Sequence, residues 1–363
     1  MSFESGSVSF RAFYVPRGLP EDAIEKFAKQ ALPPLESIGR EGASGWVTGR
    51  HMLDRNINGD TARLGGYLRL CFVTAEKKIH EALLKAECRI EEIALMQAEG
   101  IPFVKRAERI RIRKEVMLRL QPSASTMLSG IPMVYDSSRR MAYASAASEK
   151  KCDAFCLEFE RASGSAAVVV GAETAAKSRR KIDVNRFGSV SFSPNVKDDD
   201  SSMDVGQDFL TWLWFYSEAR GGMAKVDGSD YGIAIAGPIT LFHELDGAHV
   251  VMLKDGSPTA SSEVKPALLG GKKLCKAKIM VARADEAWEA VFDARSFAFG
   301  GLKIPKSKEK LDDASRFQQR VVSLGLFMEV FLSFYDKFLA DRSDDAVWHS
   351  TKKDIVQWVM AKK

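Results

Sequence analysis

The chemistry that this sequence signals most strongly is the binding of a polyanion by clustered Lys and Arg side chains. Residues 105–119 hold seven basic side chains against two glutamates; the basic residues are Lys105, Arg106, Arg109, Arg111, Arg113, Lys114 and Arg119. Seven positive minus two negative charges leave an excess of five, which costs self-repulsion unless something negative offsets it. We expect nucleic-acid phosphate to supply that negative charge.

Two further basic clusters lie elsewhere in the chain. Residues 177–181 hold four cations in five positions, and the stretch between Pro266 and Met280 holds four lysines and no acidic residue. Each cluster alone also fits a solvated surface, but three of them favour a shared electropositive surface. We predict DNA contacts from Lys105, Arg106, Arg109, Arg113, Lys114, Arg179, Arg180, Lys272, Lys273, Lys276 and Lys278.

The expected mode of binding follows from the kind of contact that these clusters offer. Lys and Arg side chains that neutralise the phosphate backbone give salt-sensitive binding that ignores base sequence. The chain contains no recognition-helix or zinc-finger motif for reading base edges. We therefore predict sequence-independent binding to duplex DNA, with single strands as a second candidate ligand.

Signals for catalysis are weaker. The acidic run Asp198–Asp200, with Asp204, is an alternative as the metal site of a nuclease, because two-metal sites use clustered carboxylates; acids in such a loop are more often solvated. His243 and His249 fit a metal site or a simple turn. No nucleotide-binding loop, HExxH motif or nucleophile elbow is present. We expect no enzymatic activity, no cofactor and no bound metal.

The five cysteines are odd in number and widely spread, which favours reduced thiols in a cytosolic compartment. Cys152 and Cys156 stand four residues apart, as on adjacent turns of one helix. They are either a redox or metal pair or two small core residues beside Phe155 and Phe159. We favour the core interpretation, because neither a second cysteine pair nor a nearby histidine completes a metal site.

The composition is that of an ordinary soluble protein, with 45% hydrophobic and 28% charged residues. The N-terminal residues lack the basic-then-apolar order of a signal peptide. The longest apolar segment, 321–340, contains Glu329, Asp336 and Lys337, so we expect a buried helix rather than a membrane span. We expect a cytoplasmic, nucleoid-associated protein.

The predicted helices and strands that carry the basic clusters indicate an α+β fold with mixed or antiparallel sheets. The segment 275–281 alternates, with Ala277, Ile279 and Val281 on one strand face and two lysines on the other. We expect residues 288–292 to form its antiparallel partner, further strands at 231–236 and 238–244, a loop at 177–181 and a break between C-terminal helices at 342–345. We divide the chain into an N-terminal α+β region (1–75), a helical arm (76–130), a central α+β region (131–200), a second α+β lobe (201–310) and C-terminal helices (311–363).

The first basic cluster falls in the arm. Strong helix formers fill residues 76–99, Gly100-Ile101-Pro102 interrupts them, and a second helical stretch runs from about 103 to 120. These stretches predict an antiparallel helical hairpin standing on a sheet, although Arg109–Arg113 also alternates like a strand. On a helical projection the basic residues of the second stretch do not form one stripe, which is typical of a helix that projects into solvent.

A series of short motifs runs along residues 7–340. They are Phe10-Arg11-Ala12-Phe13-Tyr14, Gly45-Trp46-Val47, Glu76-Lys77-Lys78-Ile79, Glu115-Val116-Met117-Leu118-Arg119-Leu120-Gln121-Pro122, Met133-Val134-Tyr135-Asp136, Phe209-Leu210-Thr211-Trp212-Leu213 and Gly271-Lys272-Lys273-Leu274-Cys275-Lys276-Ala277. Their order resembles that of the recombination-associated protein RdgC family. The resemblance implies a non-enzymatic DNA-binding protein with a horseshoe-shaped protomer. It also implies a ring-shaped homodimer whose basic interior encircles duplex DNA and which restrains RecA-type recombinase in recombination and replication.

One position departs from that family pattern. After Leu120-Gln121-Pro122, where the pattern continues x-Ala-Phe, this chain has Ser123-Ala124-Ser125. We expect dimer contacts of that aromatic at the tip of the arm to differ or to be absent here. Two alternative functions remain open: a metal-dependent nuclease that uses Asp198–Asp200, and a basic docking protein for an acidic protein partner.

Overall fold

The computed structural model describes residues 3–39, 41–188, 190–194, 205–242, 250–254, 264–306 and 309–361. Within these ranges the fold is α+β and its strands pair antiparallel, as predicted. The chain divides into two compact units. The larger unit comprises Met1–Pro20, Arg63–Arg69 and Pro132–Lys363, and the arm unit comprises Glu21–Ala62 and Leu70–Ile131.

The strands and helices are numbered in chain order. The strands are β1 Val8–Tyr14, β2 Ala43–Thr48, β3 Arg63–Leu64, β4 Tyr67–Lys77, β5 Thr126–Asp136, β6 Met141–Ala144, β7 Val168–Val169, β8 Met223–Val226, β9 Ser229–Phe242, β10 Val250–Leu253, β11 Lys273–Arg283, β12 Glu286–Asp293 and β13 Ala298–Lys303. The helices are α1 Ala23–Lys29, α2 Gly59–Ala62, α3 Glu81–Glu99, α4 Arg106–Leu120, α5 Glu149–Ser163, α6 Ala172–Arg180, α7 Val205–Ala219, α8 Val264–Leu269, α9 Asp313–Ser343 and α10 Asp345–Met360. None of these helices is long and apolar enough to cross a bilayer.

The larger unit is built on one antiparallel sheet in the order β10-β9-β11-β12-β13-β1-β6-β5. The alternation that predicted β11 is confirmed, because Ala277, Ile279 and Val281 are buried while Lys276 lies on the exposed face. Strand β12 is its antiparallel partner, as expected, with Lys276 opposite Asp293 and Lys278 opposite Val291. One face of this sheet therefore carries Lys276 and Lys278 of the third basic cluster.

Aromatic side chains of α7 and α9 cover the other face of the sheet. The ring of Phe209 in α7 lies 5.5 Å from that of Phe331 and 4.9 Å from that of Tyr335, both in α9. Phe331 in turn lies 4.7 Å from Phe292 of β12. Buried apolar surface contributes about 25 cal/mol per Å², so this layer accounts for much of the stability of the larger unit.

The C-terminal segment is helical and breaks where the sequence indicated. Helix α9 ends at Ser343, and the Asp344 side chain accepts hydrogen bonds from the backbone N–H groups of Ala346 and Val347 at 3.0 and 3.1 Å. An aspartate at this position satisfies otherwise unpaired donors of the next helix. Helix α10 then packs Trp358 against Trp214 of α7, with ring centroids 4.9 Å apart.

The arm unit pairs β2 with β4 and places the first half of β5 beside β4. Trp46 of β2 packs between Phe27 of α1 and Phe72 of β4, at ring distances of 4.8 and 5.5 Å. Next to it, a Cβ on Gly45 would lie 2.5 Å from the backbone N of Leu32. Only glycine allows this close approach of the segment after α1.

Two sequence expectations are corrected. Residues 177–181 were expected in a loop, but 177–180 form the last turn of α6, where basic side chains interact favourably with the helix dipole. Over the described residues, the strands expected at 231–236 and 238–244 form one strand, β9, which ends at Phe242 and whose pairing register shifts opposite Ala277 and Lys278. Gly237-Pro238 lies at this irregularity, and such local breaks in pairing bend a strand without ending it.

Candidate nucleic-acid interface

Helices α3 and α4 form the predicted antiparallel hairpin. Gly100 ends α3 in the left-handed conformation at φ 63°, and its N–H donates to the carbonyl of Met96, a frequent glycine role at helix ends. The seam between the helices buries Leu84, Val104, Ile112 and Val116. Residues 109–113 lie in α4, so the helical interpretation is confirmed and the strand-like alternation is not. Of this segment, only Ile112 faces the apolar seam.

Opposite charges reinforce this seam. Helix α3 has five glutamates and two basic residues, whereas α4 has six basic residues and two glutamates. Arg119 lies 2.9 Å from Glu87 and 2.6 Å from Glu91. Two further interhelical pairs join Arg113 to Glu81 at 3.3 Å and Arg109 to Glu92 at 3.7 Å. Part of the positive charge of α4 is thus neutralised within the arm.

Three of the predicted contact residues in the arm keep their charge free for a ligand. Lys105, Arg106 and Lys114 are exposed, and in the described part of the chain none of them forms an ion pair. Lys105 is the residue that caps α4, and Arg106 is its first residue. The positive end of the helix dipole lies at this same end, so it adds to the attraction of an anion there.

Exposed apolar residues accompany these cations on α4 and just before it. Phe103, Ile110 and Met117 are spaced by seven residues and are 62%, 62% and 43% exposed. Within α4, Ile110 and Met117 are seven apart and lie on nearly the same side, while Phe103 precedes the helix. Arg106 and Lys114 project within about 40° of Ile110 at 100° per residue. The outward side of α4 therefore carries both positive charge and apolar surface.

Helix α3 also has a second apolar side. Leu83 and Ile90 are 49% and 60% exposed, Ile93 is partly exposed, and Ala86 lies between them on the same side. This spacing of three and four residues is that of a coiled-coil seam. We call Leu83, Ala86, Ile90 and Ile93 the α3 stripe; it lies on the side of α3 away from Leu84, which faces α4.

The segment Leu120–Ser125 lies at the base of the hairpin and not at its tip, contrary to the expectation from the sequence. The Lys77 ammonium donates to the carbonyl of Pro122 at 3.0 Å, and the Lys78 N–H donates to the carbonyl of Ser125 at 3.1 Å. The tip is the connection that follows Gly100. A cavity of about 500 Å³ opens at the base. Its lining includes Ile79, Leu83, Leu120, Ser125 and Met127.

The second cluster is held largely by intramolecular ion pairs. Arg179 of α6 lies 2.9 Å from Glu329 and 2.7 Å from Asp336, both on α9. Although burial disfavours its charged form, hydrogen bonds to Asp336 and Glu329 raise the pKa of Arg179 above its ordinary value. Arg180 lies 3.7 Å from the Asp336 carboxylate. Arg179 thus fastens α6 to α9, while Lys177 at the same helix end is exposed.

Replacing Arg179 by alanine is expected to lower the free energy of unfolding by about 2 kcal/mol, because Glu329 and Asp336 lose a partner in a partly buried site. Urea denaturation followed by circular dichroism measures the change. The matched control is Lys177→Ala on the same helix, which we expect to stay within about 0.5 kcal/mol of the wild type. If Arg179→Ala leaves stability unchanged and instead weakens DNA binding, the residue is a phosphate contact.

The third cluster forms a ladder of ion pairs across strands. Lys276 lies 2.7 Å from Asp293, and Glu289 lies 2.8 Å from Lys278 and 3.1 Å from Lys303. Hydrogen bonds from Lys278 and Lys303 lower the pKa of Glu289 below its ordinary value. The sequence analysis did not identify these acidic partners. The alternation in β12 could have indicated them, because it places Glu289, Val291 and Asp293 on one face of the strand. The face is more nearly neutral than its lysines alone indicate.

The two remaining lysines of this cluster lie at the start of β11. Lys273 is partly buried, 3.7 Å from the carboxylate of the buried Asp208 in α7. Lys272 precedes the strand and is also partly buried. A lysine so close to a buried carboxylate compensates that charge within the fold. These two residues are thus less available than Lys276, the most exposed lysine of the cluster.

Asp198–Asp200, Asp204, His243 and His249 lie outside the described residues. Among the residues that are described, no group of three His, Cys, Asp or Glu is arranged to hold a metal ion. Comparison of the sequence with protein-family models and with curated proteins finds no match. The three basic clusters and their surroundings therefore carry the functional argument.

Proposed function

We propose that this protein binds duplex DNA without sequence preference, acts as a homodimer and modulates RecA-type homologous recombination, as its resemblance to the RdgC family implies. One observation carries the DNA-binding part of the proposal. The cations at Lys105, Arg106 and Lys114 are exposed and lack ion pairs within the described residues, whereas glutamates compensate most other cations of the arm. Uncompensated charge of this kind gains most from neutralising phosphate.

The dimensions of α4 suit this role. Arg106 and Lys114 are eight residues apart, which corresponds to about 12 Å along a helix. One strand of a duplex carries a phosphate about every 3.4 Å of axis, so a helix of this length reaches several phosphates. No base-reading motif accompanies the cations, and the same backbone contacts serve single strands as a second ligand. Contacts from Arg179, Arg180, Lys272, Lys273, Lys276 and Lys278 stay predictions of the proposal.

The α3 stripe supports the homodimer. Exposed Leu83 and Ile90 cost free energy in water, and a second copy of the arm offers the same apolar surface for burial. Leu83 also lines the cavity at the base of the hairpin, so the stripe continues into a recess that can accept an apolar side chain. The horseshoe-shaped protomer and the closed ring belong to the proposal through the family resemblance alone.

A competition experiment tests sequence independence. A labelled random duplex is bound first, and unlabelled duplexes of unrelated sequence and base composition then compete for the protein. We expect equal competition by mass for all of them, because phosphate contacts carry no sequence information. Displacement by only one of the sequences would contradict the proposal.

The ring part of the proposal has its own test. Electrophoretic shifts on linear and on covalently closed circular duplex of equal length compare binding to DNA with and without ends. A ring that must pass over a free DNA end binds the linear duplex. A ring that has closed around a circular duplex cannot slide off, so competitor DNA does not displace it. Equal dissociation from both forms would contradict the closed ring, but not the binding to phosphate.

A second candidate function is docking of an acidic protein on the outward side of α4. Phe103, Ile110 and Met117 favour it, because phosphate contacts give no reason for apolar side chains between the cations. A partner that stays bound to the immobilised protein after nuclease treatment, and that is lost with Ile110→Glu, would support this function over DNA binding.

A further inference from the structure

Two thiols of α5 lie one turn apart on the side of the helix that faces β1. Ser148 caps the helix, with its hydroxyl accepting from the N–H of Lys151, and Cys152 follows within the first turns. Cys152 is buried and Cys156 is partly exposed, so a small molecule reaches the pair through Cys156. Residues four apart lie on one face of a helix, and each of the two thiols shifts the pKa of the other.

A buried arginine stands beside this pair. The side chain of Arg11 in β1 is only 5% exposed, and its nearest carboxylate partner, Glu149, lies 3.6 Å away with 86% of its side chain exposed. Within the described part of the chain the Nε of Arg11 has no hydrogen-bond partner. A buried guanidinium with an unsatisfied N–H is costly unless an anion lies close to it. The guanidinium lowers the pKa of the Cys152 thiol, whose thiolate is such an anion.

The surroundings of Cys152 favour its thiolate. Hydrogen bonding from Cys156 and then from Arg11 holds the pKa of the Cys152 thiol well below its ordinary value, against the opposing effects of burial and of Asp153. The first turn of α5 adds the positive end of a helix dipole. The pKa of Cys156 is raised, first by its hydrogen bond to Cys152 and then by burial, so Cys156 keeps its proton.

We propose that Cys152 and Cys156 form a dithiol that hydroperoxides oxidise to an intrahelical disulfide. The Cys152 thiolate attacks one peroxide oxygen, the O–O bond breaks, and the leaving alkoxide takes a proton to become an alcohol or water. The resulting sulfenic acid carries no charge, so the pKa of Cys156 is no longer raised by a neighbouring thiolate. Cys156 then attacks the Cys152 sulfur, the S–O bond breaks, and the hydroxyl leaves as water with the proton of Cys156.

The overall change balances in electrons. Two thiols lose two electrons and two protons, and one hydroperoxide is reduced to an alcohol and water. Residues four apart on a helix have Cβ atoms about 5–6 Å apart, whereas a disulfide brings them to about 3.8 Å. Closing the bridge therefore draws the first turns of α5 together. The inference is independent of DNA binding.

Mass spectrometry of the full-length protein tests the inference. After treatment with hydrogen peroxide we expect the mass to fall by two hydrogens. We expect the same loss in the tryptic peptide that contains both Cys152 and Cys156. In Cys156→Ser, which has no resolving thiol, we expect a sulfenic acid at Cys152 that dimedone traps. Cys88→Ser is the matched control, since Cys88 is also partly exposed but lies in the arm. Oxidation at Cys88 while Cys152 stays reduced would overturn the proposal, as would a Cys152 sulfenic acid that never forms the disulfide.

The role of Arg11 has a separate readout. We expect Arg11→Lys to slow alkylation of Cys152 by iodoacetamide at least about fivefold at neutral pH, because lysine replaces the hydrogen-bonding guanidinium less effectively. Since a change at this buried position can also disturb folding, the wild-type pH profile gives a second measurement. The alkylation rate at Cys152 should hardly change between about pH 8 and 7, whereas an ordinary thiol slows by up to about tenfold per unit. An ordinary profile at Cys152 would overturn the inference.

Discussion

Reversing the charges of Lys105, Arg106 and Lys114 to glutamate together is expected to weaken duplex DNA binding by at least about a hundredfold at low salt. Each lost phosphate contact also lowers the slope of log affinity against log salt by about 0.9. All three side chains are exposed and make no ion pair within the described residues, so their reversal leaves the hairpin seam intact. Fluorescence anisotropy with a labelled random duplex measures the affinity.

The control for this prediction changes the net charge equally at another surface. Reversal of Lys225, Lys337 and Lys353 alters the total charge by the same amount but touches only β8, α9 and α10 of the larger unit. We expect this variant to lose much less affinity, because these lysines belong to none of the three basic clusters. Equal losses in both variants would mean that total charge, and not the arm, determines binding.

A graded comparison tests the strand cluster. Reversing Lys276 and Lys278 should weaken binding without unfolding the protein, but by less than the arm variant does. Asp293 and Glu289 already compensate these lysines at 2.7 and 2.8 Å, so each lysine offers less free charge to phosphate. Unchanged affinity would exclude this strand face as a contact surface.

Replacing Leu83 and Ile90 together by glutamate is expected to raise the dissociation constant of the homodimer at least about a thousandfold. A two-fold dimer contains each position twice, and each buried aliphatic side chain contributes about 1.5–3 kcal/mol. The introduced carboxylates add repulsion in an apolar interface. Sedimentation velocity over a range of concentrations measures the association, and circular dichroism should stay unchanged because both side chains are exposed in the monomer.

Exposed apolar residues of the larger unit provide the control for the dimer prediction. Leu157 is 66% exposed on α5, and Val322 is also exposed on α9. The double variant Leu157→Glu, Val322→Glu introduces the same charge and should leave association unaltered. If the wild type is monomeric at micromolar concentration, or if Leu83→Glu, Ile90→Glu still dimerises, the α3 stripe is not the dimer contact.

The sequence predicted those elements whose signals are local. The interruption at Gly100 separated α3 from α4. The alternation of β11 placed Lys276 on one face of the strand and the buried Ala277 on the other. The break between α9 and α10 was readable from Arg342–Asp345, because Asp344 is a helix-capping residue. Each of these features depends on neighbours within a few residues.

Whether a cation is compensated by a carboxylate depends instead on residues that are far away in the chain. Arg179 is compensated by Glu329 and Asp336, about 150 residues further along. Nothing in the pattern of residues 177–181 indicates these partners, so its four cations looked equivalent. The apolar residues of α3 posed a similar problem, since their periodicity fits two faces and only the fold shows that Leu84 faces α4 while Ile90 is exposed.

The position of Ser125 shows the same limit. The sequence places Leu120-Gln121-Pro122 after the arm, but which end of a hairpin this segment occupies depends on how α4 returns to the sheet. The hydrogen bonds of Lys77 and Lys78 hold it at the base. An aromatic at position 125 would therefore lie beside the cavity at the base of the arm, next to Leu83, and not at the tip.

The most direct test of the account is the salt dependence of binding to a random duplex. If the arm neutralises DNA phosphates, log affinity falls linearly with log salt concentration, and contacts from at least three cations per arm give a slope of about −3 or steeper. The same slope should appear with a duplex of unrelated sequence. A flat salt titration, or binding confined to one sequence, would contradict the proposal that this chain binds DNA without sequence preference.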